Sequence, residues 1–164
     1  MEIVERANLK NKNDRLGMIL ELAVFQALKN ISLYVVRHSQ FNEFYQQDRG
    51  IGPDFIFEFG NKKMGVIECK NLKQDFIVSE DWFNNKVEDR FFPKYKGLDA
   101  YFVVISQFQT SPQELAHKIE RGYFIVEVGF QITDLPSYEA AIPIIQNQLY
   151  LITESLNGHP VSLK

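Results

Sequence analysis

A single cysteine, Cys69, in 164 residues excludes an internal disulfide and a clustered zinc site. No stretch approaches the roughly 18 consecutive apolar residues that a membrane-spanning helix requires. The opening MEIVERANLK is too polar for a secretory leader, so the cytoplasm is the expected compartment. Internal repeats, low-complexity tracts and linker-like stretches are also lacking, which argues against an array or a multidomain chain. Neither sign of charge dominates: 18 basic residues face 21 acidic ones, a net charge of −3. What is present is ordinary globular material, 45% hydrophobic and 24% charged, with 14 phenylalanines. A chain this long suits one domain, residues 1–164, and removes about 70% of its surface from water on folding.

The small net charge hides an uneven distribution. Residues 1–121 balance 17 basic against 17 acidic side chains. The last stretch carries Lys164 against Glu127, Asp134, Glu139 and Glu154, so all the negative excess lies there. The balance of −3 therefore neither supports nor excludes nucleic acid as a partner.

Periodicity supplies the elements. Leu16, Ile19, Leu20, Ala23, Val24, Ala27 and Leu28 follow helical spacing over residues 13–30. Residues 31–37 (ISLYVVR) are β-branched and aromatic and predict a strand, followed by a polar loop over 38–53. FIFEF and MGVIECK, joined by the turn GNKK, predict a β-hairpin. A helix capped by Ser79 is expected to about Arg90, a strand at YFVVIS, a helix from Ser111-Pro112 to about Arg121, and a strand at YFIVEV. The tail, about 135–157, reads as helical, with Pro143 forcing a kink or a fresh start. Its Tyr138, Ile142, Ile145, Leu149, Ile152 and Leu156 form a narrow seam that either packs on the sheet or joins two chains. The order predicts an α/β domain: a mixed central β-sheet flanked by helices, with a core of about 13–128 and an extra C-terminal strand and helix.

Chemistry concentrates at the hairpin. Side chains alternate along a strand, so Glu68 and Lys70 share one face and Cys69 takes the other. A hairpin turning at 60–63 returns Asp54 beside Glu68 and Lys70. Two carboxylates offer hard oxygen donors to Mg²⁺, and a neighbouring lysine can orient or deprotonate a water. An acid-x-Lys triplet also arises about once by chance in a chain this size, and an exposed hairpin face alternates in the same way. Glu21 adds weight, because GMILELAVFQAL holds only Glu21 and Gln26 as polar residues. A carboxylate in so apolar a helix needs a partner unless it lies on a thin exposed stripe with Gly17 and Gln26. Gly17, one turn earlier, leaves room for a close approach.

Gly17-x-x-x-Glu21 on the first helix, a strand ending Val36-Arg37, Gly52-Pro53-Asp54 and Glu68-Cys69-Lys70 together resemble the PD-(D/E)XK nuclease superfamily. The arrangement is most similar to its archaeal Holliday junction resolvase branch, over residues 13–106. The resemblance implies a restriction endonuclease-like core, α-β-β-β-α-β, and a Mg²⁺-dependent DNA endonuclease in which Mn²⁺ substitutes. It implies metal held by Asp54, Glu68 and the Cys69 backbone carbonyl, water oriented by Lys70, and Glu21 as a direct or supporting metal residue. The loop running to Gly52 is longer than the resolvases carry, so a restriction-like or mobile-element role stands beside junction resolution. A catalytically silent DNA-binding or assembly module on the same fold is the alternative outside the enzymes.

Basic residues near aromatics mark the expected DNA contacts: Arg37 and Arg49 flank the long loop, and Lys86, Arg90, Lys94 and Lys96 surround FFPKYK. RNA remains open as a substrate, and a homodimer is expected, with the 138–156 seam as a candidate interface if it does not pack on the sheet. If Glu21, Asp54 and Glu68 face a metal, residues 1–121 present 17 basic against 14 remaining acidic side chains to nucleic acid.

Overall fold

The computed structural model describes residues 12–31, 34–37, 54–60, 62–73, 76–83, 85–86, 98–107 and 123–158. Helix α1 (Lys12–Asn30) leads into strand β1 (Tyr34–Arg37), β2 (Phe55–Phe59) and β3 (Lys63–Lys70). A short helix α2 (Glu80–Phe83) precedes β4 (Ala100–Ile105), β5 (Tyr123–Glu127) and the long helix α3 (Leu135–Leu156). The strands form one five-stranded sheet in the order β1-β2-β3-β4-β5. The pairs β1–β2 and β2–β3 are antiparallel, and β3–β4 and β4–β5 are parallel, so the sheet is mixed.

Period-two alternation splits the sheet into two faces. Phe55, Phe57 and Phe59 of β2, Ile67 and Cys69 of β3, and Phe102 and Val104 of β4 face α1 and α3. Ile56, Val66, Val103 and Ile105 point the other way and pack with Val78, Phe83 and Tyr123. The phenylalanine surplus fills the first face: the Phe57 and Phe102 rings meet edge to face at 5.3 Å, and Phe102 stacks on Phe124 at 5.3 Å. Gly65 makes that packing possible, because a Cβ there would come within 2.7 Å of the Phe57 ring. At the hairpin turn Gly60 and Lys62 both take positive φ, 58° and 64°, the left-handed backbone that a tight reversal uses.

Helix α3 is continuous from Leu135 to Leu156, so Pro143 starts no new helix. Pro143 lies on the exposed side with Glu139, where a carbonyl left without its i+4 donor faces water. Asp134 caps the helix: its carboxylate accepts from the Ser137 N–H at 2.9 Å, while Ser137 Oγ accepts from the Asp134 N–H at 3.1 Å. At the other end Lys63 Nζ donates to the Leu156 carbonyl, placing a cation at the helix C-terminus.

The C-terminal seam is consumed inside the molecule. Ala141, Ile145, Leu149 and Thr153 are buried, and Tyr138, Ile142, Ile152 and Leu156 pack along the margins of the same core. The main contact of α3 is α1, with β5 a lesser one, so the seam packs within the domain, on the first helix more than on the sheet. The row at 141, 145, 149 and 153 keeps the spacing of four that α1 shows at Leu20, Val24 and Leu28.

Most other sequence expectations hold, with shifted bounds. The second expected helix begins as anticipated, Ser79 Oγ accepting from the Trp82 N–H at 3.1 Å. The loop 38–53, the remainder of that helix beyond residue 86 and the helix expected at 111–121 lie outside the described residues. No helix among the described residues is long and apolar enough to cross a membrane.

Candidate functional site

The sheet places the candidate residues at one end of β3. Parallel strands β3, β4 and β5 finish at the same sheet end, the position where α/β sheets commonly offer their loops to ligands. Antiparallel β2 begins at that end. Its register pairs Phe55 with Ile67, and one step further Asp54 stands opposite Glu68. The Asp54 N–H donates to the Ile67 carbonyl at 2.8 Å, and its Oδ2 accepts from the Cys69 N–H at 2.7 Å. These two bonds fix the carboxylate where the strand pairing ends.

Glu68 is 4% exposed, the only carboxylate among the buried residues described. Its Oε1 lies 3.0 Å from Lys70 Nζ. The pair occupies the face of β3 that carries Val66, opposite the one that carries Cys69. A buried carboxylate is costly, and the ammonium two residues along offsets that cost through a short charge-assisted contact. The lysine side chain remains 20% exposed, so the pair opens to solvent on the lysine side.

Glu21 arrives from the other face. Helix α1 packs on the Cys69 side of the sheet, and Glu21 is half-buried rather than enclosed. Gly17 gives no close approach: among the described residues nothing lies within 4 Å of a Cβ built there. Of the two approaches that glycine was expected to permit, backbone or ligand, no backbone among the described residues makes the first. The four charged residues converge electrostatically on one atom. Burial pushes the Cys69 thiol well above its usual pKa; Asp54, Glu21 and Glu68 push it further up, and Lys70 opposes them. Cys69 is thus a protonated, packed thiol, and the nearby carboxylates leave it no nucleophilic role.

The donor chemistry suits a hard divalent cation. Mg²⁺ typically takes one or two protein carboxylates and keeps several waters, and Asp54 with Glu68 supplies that number. Among the described residues, no group of three or more acids, histidines or cysteines is arranged to hold a metal.

Compared with known protein families, characterised proteins and solved structures, this chain matches none. The site therefore stands on its own geometry.

Of the expected nucleic-acid contacts, Lys86 is exposed. Arg37 ends β1, with its backbone paired to Phe55 and its side chain outside the described residues. Arg49, Arg90, Lys94 and Lys96 lie outside the described residues altogether.

Two polar residues escaped the sequence reasoning. Asn71 donates from Nδ2 to the Leu16 carbonyl at 2.7 Å and the Ile132 carbonyl at 2.8 Å, and its Oδ1 accepts from the Ile132 N–H at 3.1 Å. Ser106, fully buried at the end of β4, brackets Leu72: its Oγ accepts from the Leu72 N–H at 2.6 Å and donates to the Leu72 carbonyl at 3.0 Å. An Asn or Ser just past a strand reads as ordinary turn chemistry. Only their position beside Glu68 and Lys70 distinguishes them.

Proposed function

We propose that the chain is a Mg²⁺-dependent endonuclease that hydrolyses phosphodiester bonds in DNA. The observation that carries this reading is the register placing Asp54 opposite Glu68, with Lys70 Nζ 3.0 Å from Glu68, at the carboxyl end of a parallel strand pair. A restriction endonuclease-like arrangement of the core accords with the order α1-β1-β2-β3-α2-β4.

Asp54 and Glu68 hold the cation in this reading, and a bound Mg²⁺ supplies Lewis-acid polarisation of the scissile phosphate. Lys70 donates to a water at its solvent-open side and orients the oxygen lone pair toward phosphorus. As the water oxygen bonds to phosphorus, giving up a proton to solvent, the P–O3′ bond breaks and O3′ takes a proton from a solvent water, leaving a 5′-phosphate and a 3′-hydroxyl. The ammonium beside the phosphate offsets the charge that develops on its oxygens. Exposed Lys86 is available for a backbone phosphate.

The test is cleavage of plasmid, branched and single-stranded DNA, and of RNA, with Mg²⁺ or Mn²⁺. Asp54→Asn and Lys70→Ala are each expected to lower the rate by about 10²–10⁴-fold. Unchanged cutting by both variants sinks the reading. Preference for the branched substrate selects junction resolution over a restriction-like or mobile-element role.

The Glu68–Lys70 contact also favours a second reading, in which the pair is a structural ion pair of a catalytically silent DNA-binding module. Calorimetric titration with Mn²⁺ separates the two. Binding abolished by Asp54→Asn supports the enzyme, and DNA binding without metal binding supports the module. With the 138–156 seam internal, a homodimer needs another surface, and light scattering of the intact chain decides whether one forms.

A further inference from the structure

We propose that Asn71 is a positioning residue for the hydrolytic reaction, clamping the start of α1, and through it Glu21, to the carboxyl end of β3. This inference rests on the endonuclease reading.

The amide uses both of its protons and an oxygen lone pair, on Leu16 O, Ile132 O and Ile132 N. Carbonyls can only accept and an N–H can only donate, so the three partners themselves fix which end of the amide points where. Asparagine is the shortest side chain with two donors and an acceptor in one plane. Aspartate has its shape but turns oxygens toward the two carbonyls. Glutamine reaches one methylene too far.

The anchored end of this clamp is rigid. Ser106 donates its N–H to the Lys70 carbonyl at 3.0 Å, and its hydroxyl holds both backbone groups of Leu72. Residues 70 and 72 are thus tied to β4 on either side of Asn71. The other end holds α1 one residue before Gly17. Leu16 adjoins Gly17, whose open flank offers no side-chain contact within 4 Å among the described residues. Glu21 lies five residues on, about 7.5 Å along the axis, so the axial and rotational setting fixed at Leu16 is passed to its carboxylate. The Ile132 bonds tie in the segment that leads from β5 to α3, the helix packed on α1. One amide therefore ties two segments to the end of β3 at once, and misplacement by an ångström is enough to cost a large factor in rate.

The experiment is a double-mutant cycle in the full chain. Cleavage is measured against DNA and Mg²⁺ concentration for wild type, Asn71→Asp, Glu21→Gln and the double variant. Asn71→Asp is expected to fold cooperatively and lose about 10–100-fold in kcat with KM for DNA within threefold of wild type. Glu21→Gln is expected to lower kcat as well. Adding Asn71→Asp to Glu21→Gln is then expected to cost less than threefold more, because the clamp acts through Glu21. Losses that multiply in the double variant, or wild-type cutting by Asn71→Asp, overturn the positioning role. If Asn71→Asp fails to fold, Asn71→Ser, smaller and keeping one donor, carries the same cycle. Should Asp54→Asn and Lys70→Ala be inactive while the Asn71 variants cut normally, only the positioning role falls. Should Asp54→Asn and Lys70→Ala cut like wild type, or the wild type fail to cut, the endonuclease reading falls and takes this inference with it.

Discussion

Strand β3 has two ends built for opposite purposes. From Gly65 to Ile67 it is buried hydrocarbon, with Gly65 under the Phe57 ring and Ile67 and Val66 fully buried on opposite faces. From Glu68 to Asn71 the same strand turns to an acid, a thiol, an ammonium and an amide within four residues. The first end contributes free energy of folding through dispersion and desolvation of apolar surface. The second end works against it, since a buried carboxylate raises the energy of the folded state. A sheet stable at one end tolerates a costly, polar arrangement at the other, and such a trade is usual where activity and stability compete.

Breaking the apolar end should have the largest effect. Phe57→Ala removes a fully buried ring from the cluster of Phe59 and Phe102, and a loss of about 3–5 kcal/mol is expected in urea unfolding. The polar end should respond with the opposite sign. Replacing the pair together, Glu68→Leu with Lys70→Met, removes a buried charge and its partner, and a gain of about 1 kcal/mol is expected with no cleavage left. The gain lies at the low end for buried pairs because the lysine is partly solvated. A loss of stability in that double variant would show the pair to be a structural asset and blur the contrast. Gly17→Ala sharpens it from outside β3: the helix interior gains an alanine with nothing among the described residues to strike, for about 0.5–1 kcal/mol of added stability.

The smallest expected effect is at Cys69. With its thiol pKa raised in the folded chain, the unfolded chain loses its proton first as pH rises. The contribution is therefore fully present below about pH 8.5 and fades above it. Thermal unfolding from pH 7 to 10 checks the sign against Cys69→Ala, in which that slope should flatten. Slow alkylation of the folded thiol at pH 8 is the companion observation.

Much of the fold was legible because its elements are written in local periods. FIFEF and MGVIECK alternate cleanly, and α1 carries its apolar residues at helical spacing, so both survive the move from string to structure. Helix α3 was legible as a helix but its partner was not. Its 4-3-4 seam fits a sheet, a second chain or another helix equally well, and α1 occupies it because α1 offers a matching row on the same face of the sheet. At the site, Asp54, Glu68 and Lys70 were legible because hairpin register is arithmetic on the turn position. Gly17 was legible only as room for an approach, since a missing Cβ states what is permitted and not what takes the space. Asn71 and Ser106 were invisible because their partners, Leu16, Ile132 and Leu72, are backbone groups, three of the five bonds joining residues more than fifty apart.

The sequence by itself determined the hairpin, its register and hence the meeting of Asp54 with Glu68, because pairing across a short turn needs no information from elsewhere in the chain. It also determined that Glu68 and Lys70 share a face, since alternation is a property of the backbone. Only the tertiary structure decided that Glu21 comes from the opposite side of the sheet, that α3 closes over α1, and that one asparagine ties both to the end of β3. Those outcomes depend on which surfaces find each other after the chain has collapsed. Apolar periodicity specifies that a face will be covered, and shape and unsatisfied backbone groups choose what covers it.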